Sequence, residues 1–299
     1  MLHDVMSVLQ EVGEKIWCVN GERPGPCLVI LGGVHGNERT GIELIKRLYR
    51  VLDSQEKKLV RGQLFFVLGN PRAMEKNVRF IERDLNRLFS PTRLLQAPDG
   101  SYEDLRCREI AQILRSADIS IDIHSTNKPS LPFLACAVSP RHEDIYRWFD
   151  TDRVLTDPHY ILGGAVVTTD EFVDQRGSVG ICYETGWNED TSRLDSLTEN
   201  IWNILRDQHM LEDGIALSQP STSRQIFELT QAIKLSERGF RFADGMGESS
   251  FQAYRSGDIL GWMGDDPLYA KEEGVILFPK ISIHWRVGEP VGYTAKKRK

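Results

Sequence analysis

The sequence predicts an α/β protein: a mostly parallel, mixed sheet with helices on both faces, followed by a smaller β-rich C-terminal domain. Two observations carry this. Up to about Leu211, short continuous apolar runs alternate with helical periodicity, the pattern of a sheet buried on both faces. Beyond it, short β-like pieces follow one another without a strong helix. The division therefore falls between residues 1–211 and 212–299.

Taken in order, "CLVIL" (Cys27 to Leu31) reads as a buried strand: short, apolar and unbroken. A helix follows from about Thr40, with Ile42, Ile45, Leu48, Tyr49 and Leu52 on one face. "QLFFVLG" (Gln63 to Gly69) is the second strand, and "NPRAMEKNVRFIERDLNRLF" reads as a loop. In "SYEDLRCREIAQILRS", Cys107, Ile110, Ala111 and Leu114 share a helical face, with acids early and Arg115 late to match the dipole. "ISIDIH" (Ile119 to His124), "PFLACAV" and "GICYE" (Gly180 to Glu184) are three more strands. "SRLDSLTENIWNILRDQHML" is a long helix, and "DGIALSQPSTS" is a linker by composition. The C-terminal pieces are "RQIFELTQAIKL", "DILGWMG", "GVILFPK" and "PVGYTAK".

Composition narrows the function. A net charge of -6 argues against wholesale nucleic-acid binding, and the basic run Lys296, Lys297, Arg298, Lys299 reads as a solvated tail. The cysteines, Cys18, Cys27, Cys107, Cys136 and Cys182, are odd in number and form no C-x-x-C pair, which argues against a disulfide framework and a thiolate metal site. No apolar run approaches the roughly 20 residues needed to cross a bilayer, and the N-terminus lacks a leader's apolar core. The expectation is a cytoplasmic protein without membrane partners, its oligomeric state open.

Chemistry-bearing residues gather at strand ends. His35 and Glu38 follow the first strand, and His124 and Glu184 end later ones. The carboxyl ends of strands line the ligand crevice of an open α/β sheet. His35 and Glu38, three apart on a turn, can reach one ion together. Two histidines and a glutamate form an established catalytic zinc set, and His124, preceded two residues earlier by Asp122, is the best third ligand. Gly32, Gly33 and Gly36 leave room for an ion and substrate to approach. On the residues alone, His124 also fits a capping or core histidine, and Glu184 a surface or cap glutamate. His3, His142, His159, His209 and His284 are assigned structural or surface roles.

"GGVHGNE", "GNPRA", "RFIERDLNRLF", "DIHST" and "YETG" occur in one order. Together they resemble the succinylglutamate desuccinylase and aspartoacylase family of zinc hydrolases, related to zinc carboxypeptidases, across roughly residues 27 to 190. The resemblance implies a zinc-carboxypeptidase-like fold and one Zn2+ per chain on His35, Glu38 and His124. It implies Glu184 as general base, Arg79 polarising the scissile carbonyl, and Asn86 and Arg87 gripping a substrate carboxylate. Arg176, eight residues before Glu184, is a candidate for a second substrate-binding arginine. The family's C-terminal "YP" has "FP" as its counterpart here, Phe278-Pro279, and Tyr293 is a candidate to stand in for the missing hydroxyl. Asp84 is expected to orient the loop, and Arg83 to pair with Glu82 and Asp84.

The expected activity is a zinc-dependent amidohydrolase acting on a small anionic N-acyl amino acid, succinylglutamate-like first and N-acetylaspartate-like second. Two other readings are a carboxypeptidase-type peptidase and a catalytically inactive metal-containing binding protein.

Overall fold

The computed structural model describes residues 7–162, 167–212 and 223–298. Its strands are β1 (Gln10–Gly13), β2 (Ile16–Asn20), β3 (Arg23–Gly32), β4 (Arg61–Leu68), β5 (Ile119–Thr126), β6 (Phe133–Cys136), β7 (Arg153–Thr156), β8 (Val179–Trp187), β9 (Gln225–Lys234), β10 (Phe240–Phe242), β11 (Gln252–Tyr254), β12 (Ile259–Met263), β13 (Asp266–Tyr269), β14 (Gly274–Leu277) and β15 (Pro290–Lys297). Its helices are α1 (Arg39–Asp53), α2 (Pro71–Lys76), α3 (Pro91–Leu95), α4 (Tyr102–Leu114), α5 (Pro140–Tyr146), α6 (Thr169–Asp174) and α7 (Leu194–Asp207).

One sheet of 12 strands runs in the order β1-β2-β4-β3-β5-β8-β6-β7-β9-β15-β14-β11, and a second of 3 runs β10-β12-β13. The centre, β4-β3-β5-β8, is parallel. β2 joins β4 antiparallel, and β6 joins β8 antiparallel, so the sheet is mixed. β3 lies between β4 and β5, the strands that follow it in sequence. Successive connections from this centre go to opposite sides, which opens a crevice at the carboxyl ends of the central strands.

Alternation along each central strand feeds two cores. Leu28 and Ile30 of β3, with Ile121 and Ile123 of β5 and Ile181 and Tyr183 of β8, pack under α1 and α7. Val29 and Leu31 of β3, with Phe65 and Val67 of β4, pack under Cys107, Ile110, Ala111 and Leu114 of α4 and Phe172 and Val173 of α6. Even positions of β5 and β8 on this second face include polar groups: Asp122, His124 and Glu184.

Several expectations are corrected. The stretch read as one loop holds α2, because the Asn70 side chain accepts from Ala73 N at 3.1 Å and Pro71 sits in the first turn, a capped start within "NPRA". It also holds a 3-10 turn at Leu85–Arg87, capped by Asp84. The basic C-terminal run is not a free tail. Lys296 and Lys297 belong to β15 and pair with β9, and Arg298 N donates to Ile226 O. The β-rich C-terminal part also extends the main sheet, through parallel pairing of β7 with β9. Most of the linker reading, over residues 213–222, lies outside the described residues, as does His3.

Buried Arg106 of α4 locks the edge of the crevice. It donates from Nε to Gly69 O at 2.8 Å and from Nη2 to Leu68 O at 2.7 Å, and it pairs with Glu109. Arg106→Leu leaves two buried carbonyls without donors, so a loss of about 2–4 kcal/mol is expected. Urea unfolding checks it, the midpoint falling with the slope unchanged.

Candidate functional site

β3 ends at Gly32, and the chain turns through His35 and Glu38 before α1 begins. A Cβ on Gly32 would lie 2.5 Å from the Gly41 carbonyl carbon, and one on Gly36 would lie 2.2 Å from that of Ala73. Sequence reasoning reserves these glycines for the approach of an ion. The structure uses them to seat the turn against the backbones of α1 and α2.

Three side chains from two segments meet there. His35 Nδ1 lies 2.8 Å from Glu38 Oε1, and His124 Nδ1 lies 3.0 Å from Glu38 Oε2. The imidazole centroids are 4.9 Å apart, and Ser125 N donates to Glu38 Oε2 at 2.9 Å. All three side chains are buried. One ligand atom from each lies within 4.8 Å of the others, so they could hold one metal ion.

The next layer tests whether a metal fits. His35 Nε2 is 3.0 Å from Asp84 Oδ1, and His124 Nε2 is 2.9 Å from Asp122 Oδ2. Each imidazole thus has its far nitrogen held by a carboxylate and its near nitrogen turned to the shared centre, the usual arrangement around metal-bound histidines. Burial raises the Glu38 carboxyl, but the two imidazoles outweigh it and hold the group below its ordinary value. Burial likewise disfavours a charged His124, but Asp122 and Glu38 overcome it and lift the group well above its ordinary value. Asp84 is held well below the carboxylate range against burial, by His35 and then Arg79. Such a concentration of carboxylates around two imidazoles calls for positive charge, and a divalent cation fits the donor set.

Glu184 stands beside this group. β5 and β8 pair in parallel with His124 opposite Glu184, so the two side chains share a sheet face. Burial, with Glu38 and Asp122 adding to it against His124 and Arg79, pushes Glu184 up to about 8. Its Oε2 is buried and has no hydrogen-bond partner among the described residues.

Arg79 is one-third exposed. It forks onto Asp84 Oδ2 with Nε at 3.2 Å and Nη2 at 3.1 Å, while Nη1 reaches Glu38 Oε1 at 3.4 Å. Arg87 donates to Asn86 O at 2.8 Å and lines the cavity. Asn86 is buried, its Oδ1 accepting from Thr169 N at 3.0 Å and its Nδ2 lying 3.4 Å from His124 Nε2. Tyr293 also lines the cavity and donates its hydroxyl to Leu162 O at 3.3 Å.

Two placements depart from expectation. Arg176 is exposed, donates to Arg115 O and does not line the cavity. It precedes the start of β8, whereas Glu184 lies five residues beyond Val179, about 17 Å along an extended strand. Arg83 pairs with Asp99 rather than with Glu82 or Asp84, because Glu82 is turned to accept from Tyr102 N.

Sequence reasoning missed Glu103. In sequence it is an acid in the first turn of α4, a helix-dipole signal. In the fold it is fully buried and accepts from Asn70 Nδ2 and from the backbone N–H groups of Ile81, Glu82 and Arg83, which shapes the loop carrying Arg79 to Arg87. His142 has a structural place as expected: it bridges Ser139 Oγ and Asp174 Oδ1, each at 2.8 Å, and so ties α5 to α6.

A family model described as the succinylglutamate desuccinylase/aspartoacylase catalytic domain matches residues 24–202. A probable aspartoacylase from Nostoc sp. is 39% identical over 104 residues, covering 33% of this chain and 35% of that one. This match spans about a third of the relative's own length. A succinylglutamate desuccinylase from Vibrio cholerae is 27% identical over 282 residues, covering 87% of this chain and 78% of the relative. Among solved structures, a succinylglutamate desuccinylase from Vibrio parahaemolyticus superposes with a TM-score of 0.75 at 19% identity, covering 100% of this chain and 93% of that one. This last likeness establishes the shared fold.

Asp170, buried on α6 beside the cavity, is pushed up to about 7, first by burial and then by Glu171, with Thr168 opposing and Asp122 and Asp174 adding. An unfolded aspartate titrates near about 3.9. Between these values the native state binds the extra proton, so this group's contribution to stability falls as pH rises from about 4 to about 7. Asp170→Asn removes that slope. The variant should gain on the parent with rising pH, by up to about 4 kcal/mol, in urea unfolding across that range.

Proposed function

The chain belongs to the succinylglutamate desuccinylase/aspartoacylase family, and from that premise we propose that it is a zinc-dependent amidohydrolase. Its reaction is hydrolysis of an N-acyl amino acid to a carboxylic acid and a free amino acid. The observation carrying this reading is the buried meeting of His35, Glu38 and His124, each imidazole fixed from behind by an aspartate. In this reading residues 1–211 form the catalytic part and residues 212–299 wall the cavity.

Zinc held by His35, Glu38 and His124 supplies Lewis acidity toward the scissile carbonyl and toward the attacking water. In its ionised form Glu184 takes a proton from that water and delivers it to the departing amine nitrogen. Its unpartnered Oε2 and its place opposite His124 support the role. Arg79, beside Glu38, faces negative charge developing on the carbonyl oxygen. Arg87 binds a substrate carboxylate through donors not spent on Asn86 O, and Asn86 closes the same corner of the cavity. These cations suit a polyanion, so succinylglutamate-like substrates stand first and N-acetylaspartate-like ones second. Five free, buried cysteines fit a reducing cytoplasm, and no helix among the described residues is long and apolar enough to cross a membrane.

A peptidase reading keeps one supporting observation. The cavity measures 1810 Å³, which exceeds the roughly 300–1,000 Å³ usual for small-molecule sites and leaves room for a peptide. Rates on acyl amino acids against longer peptides separate the two.

Dialysis against a chelator should abolish hydrolysis, and one equivalent of zinc should restore it. Activity surviving complete metal removal, verified by elemental analysis, defeats the proposal. Glu184→Gln should retain zinc while turnover drops by about 10²–10⁴-fold. Unimpaired turnover in that variant overturns the role given to Glu184.

A further inference from the structure

The segment after β14 brings a cation into the cavity from the C-terminal part of the chain. Lys280 lines the same cavity as Arg79, Arg87 and Tyr293. Its backbone is held at both ends: its N–H donates to Val291 O at 2.8 Å, and its carbonyl accepts from the Trp285 indole at 2.9 Å. Two residues earlier, Phe278 packs edge-on against Phe133 at 5.4 Å and Tyr293 at 6.2 Å, which fixes this wall to the main sheet.

Lys280 is half-buried. Among the described residues, no hydrogen bond or ion pair is found for its ammonium, whereas several other cations around the cavity have partners. Arg79 is held by Asp84 and Glu38, Arg83 by Asp99, and Lys128 donates to Gly247 O. The charges that act on Lys280 are Glu289 and Asp84 on one side and Arg79 and Arg87 on the other. Asp84 is already engaged by His35, Arg79 and Asn86 N. Burial first, then the two guanidiniums, lower the Lys280 pKa against the pull of Glu289. A half-buried ammonium beside two guanidiniums is unfavourable in the free protein, and an anion placed among them relieves it.

Resting on the amidohydrolase reading, we propose that Lys280 is a specificity residue. With Arg87 it forms a seat for a substrate carboxylate other than the α-carboxylate, and so selects N-acyl amino acids that carry an additional acidic group. That group comes from an acidic amino-acid side chain or from a dicarboxylic acyl chain. The recognition chemistry is the same for both, a carboxylate between a planar guanidinium fork and a point-charge ammonium.

The test compares the parent chain, Lys280→Met and Lys280→Arg, all zinc-loaded, on N-succinylglutamate, N-succinylglutamine, N-acetylglutamate and N-acetylglutamine. Lys280→Met should raise KM about tenfold or more for substrates whose extra carboxylate occupies the seat, since a charge-assisted hydrogen bond contributes that much. Its kcat should stay within about twofold, KM for N-acetylglutamine should not move, and Lys280→Arg should recover most of the loss. Which of the two singly acidic substrates responds identifies the source of the carboxylate. Equal KM changes on all four substrates, or none on any, overturn the proposal. If the parent hydrolyses none of them, the amidohydrolase reading fails, and calorimetric binding of the uncleaved compounds still decides the seat. A preference of about tenfold for N-succinylglutamate over N-acetylglutamine that Lys280→Met erases sustains it. Equal or absent binding overturns it.

Discussion

The Glu38 carboxylate is the point on which the rest of the site depends. One oxygen meets His35, and the other meets His124 and the backbone N–H of Ser125. Those partners sit at the ends of β3 and β5, so the contact exists only because the two strands are neighbours in register. Nearly everything around it serves that meeting. Asp84 and Asp122 fix the imidazoles from behind, and Glu103 shapes the loop that carries Asp84.

The two faces of the sheet divide the work. Under α1 and α7 the central strands present mainly apolar side chains, whose burial favours folding. Under α4 and α6 the same strands bury Asp122, His124 and Glu184, and α6 adds Asp170. Buried carboxyls without full compensation oppose folding. The apolar face offsets that cost, and the polar face retains carboxyl groups whose protons bind more tightly than usual. Glu184 and Asp170 are both raised by burial, one beside the His35, Glu38 and His124 group and the other farther along the same cavity.

The β-rich C-terminal part acts through the sheet. β9 continues the main sheet from β7, and β15 and β14 follow it, which places Phe278, Lys280 and Tyr293 along one wall of the cavity. Its own apolar cluster includes Phe133 of β6 and Leu155 of β7, so this wall is packed against the two strands that follow β8 in the sheet.

Local sequence was enough for the α/β alternation, the strands ending near His35, His124 and Glu184, and the helical faces of α1, α4 and α7. Each depends on periodicity or on residues close in the chain, and those signals survive without a fold. The motif order, with the spacing of His35 and Glu38, also pointed to the family whose model covers residues 24–202. Short elements escaped. α2 depends on an Asn-Pro cap, and β7 is four residues whose pairing with β9 is set by a distant segment. Tertiary structure alone decided which long side chains turn inward. Arg176 and Lys280 look alike as isolated cations in a sequence, but one lies before β8 begins and the other is carried into the cavity by strands added at the far edge of the sheet. Charge and spacing specify what a residue can do. Where it acts depends on strand neighbours separated by tens or hundreds of residues, which no local pattern encodes.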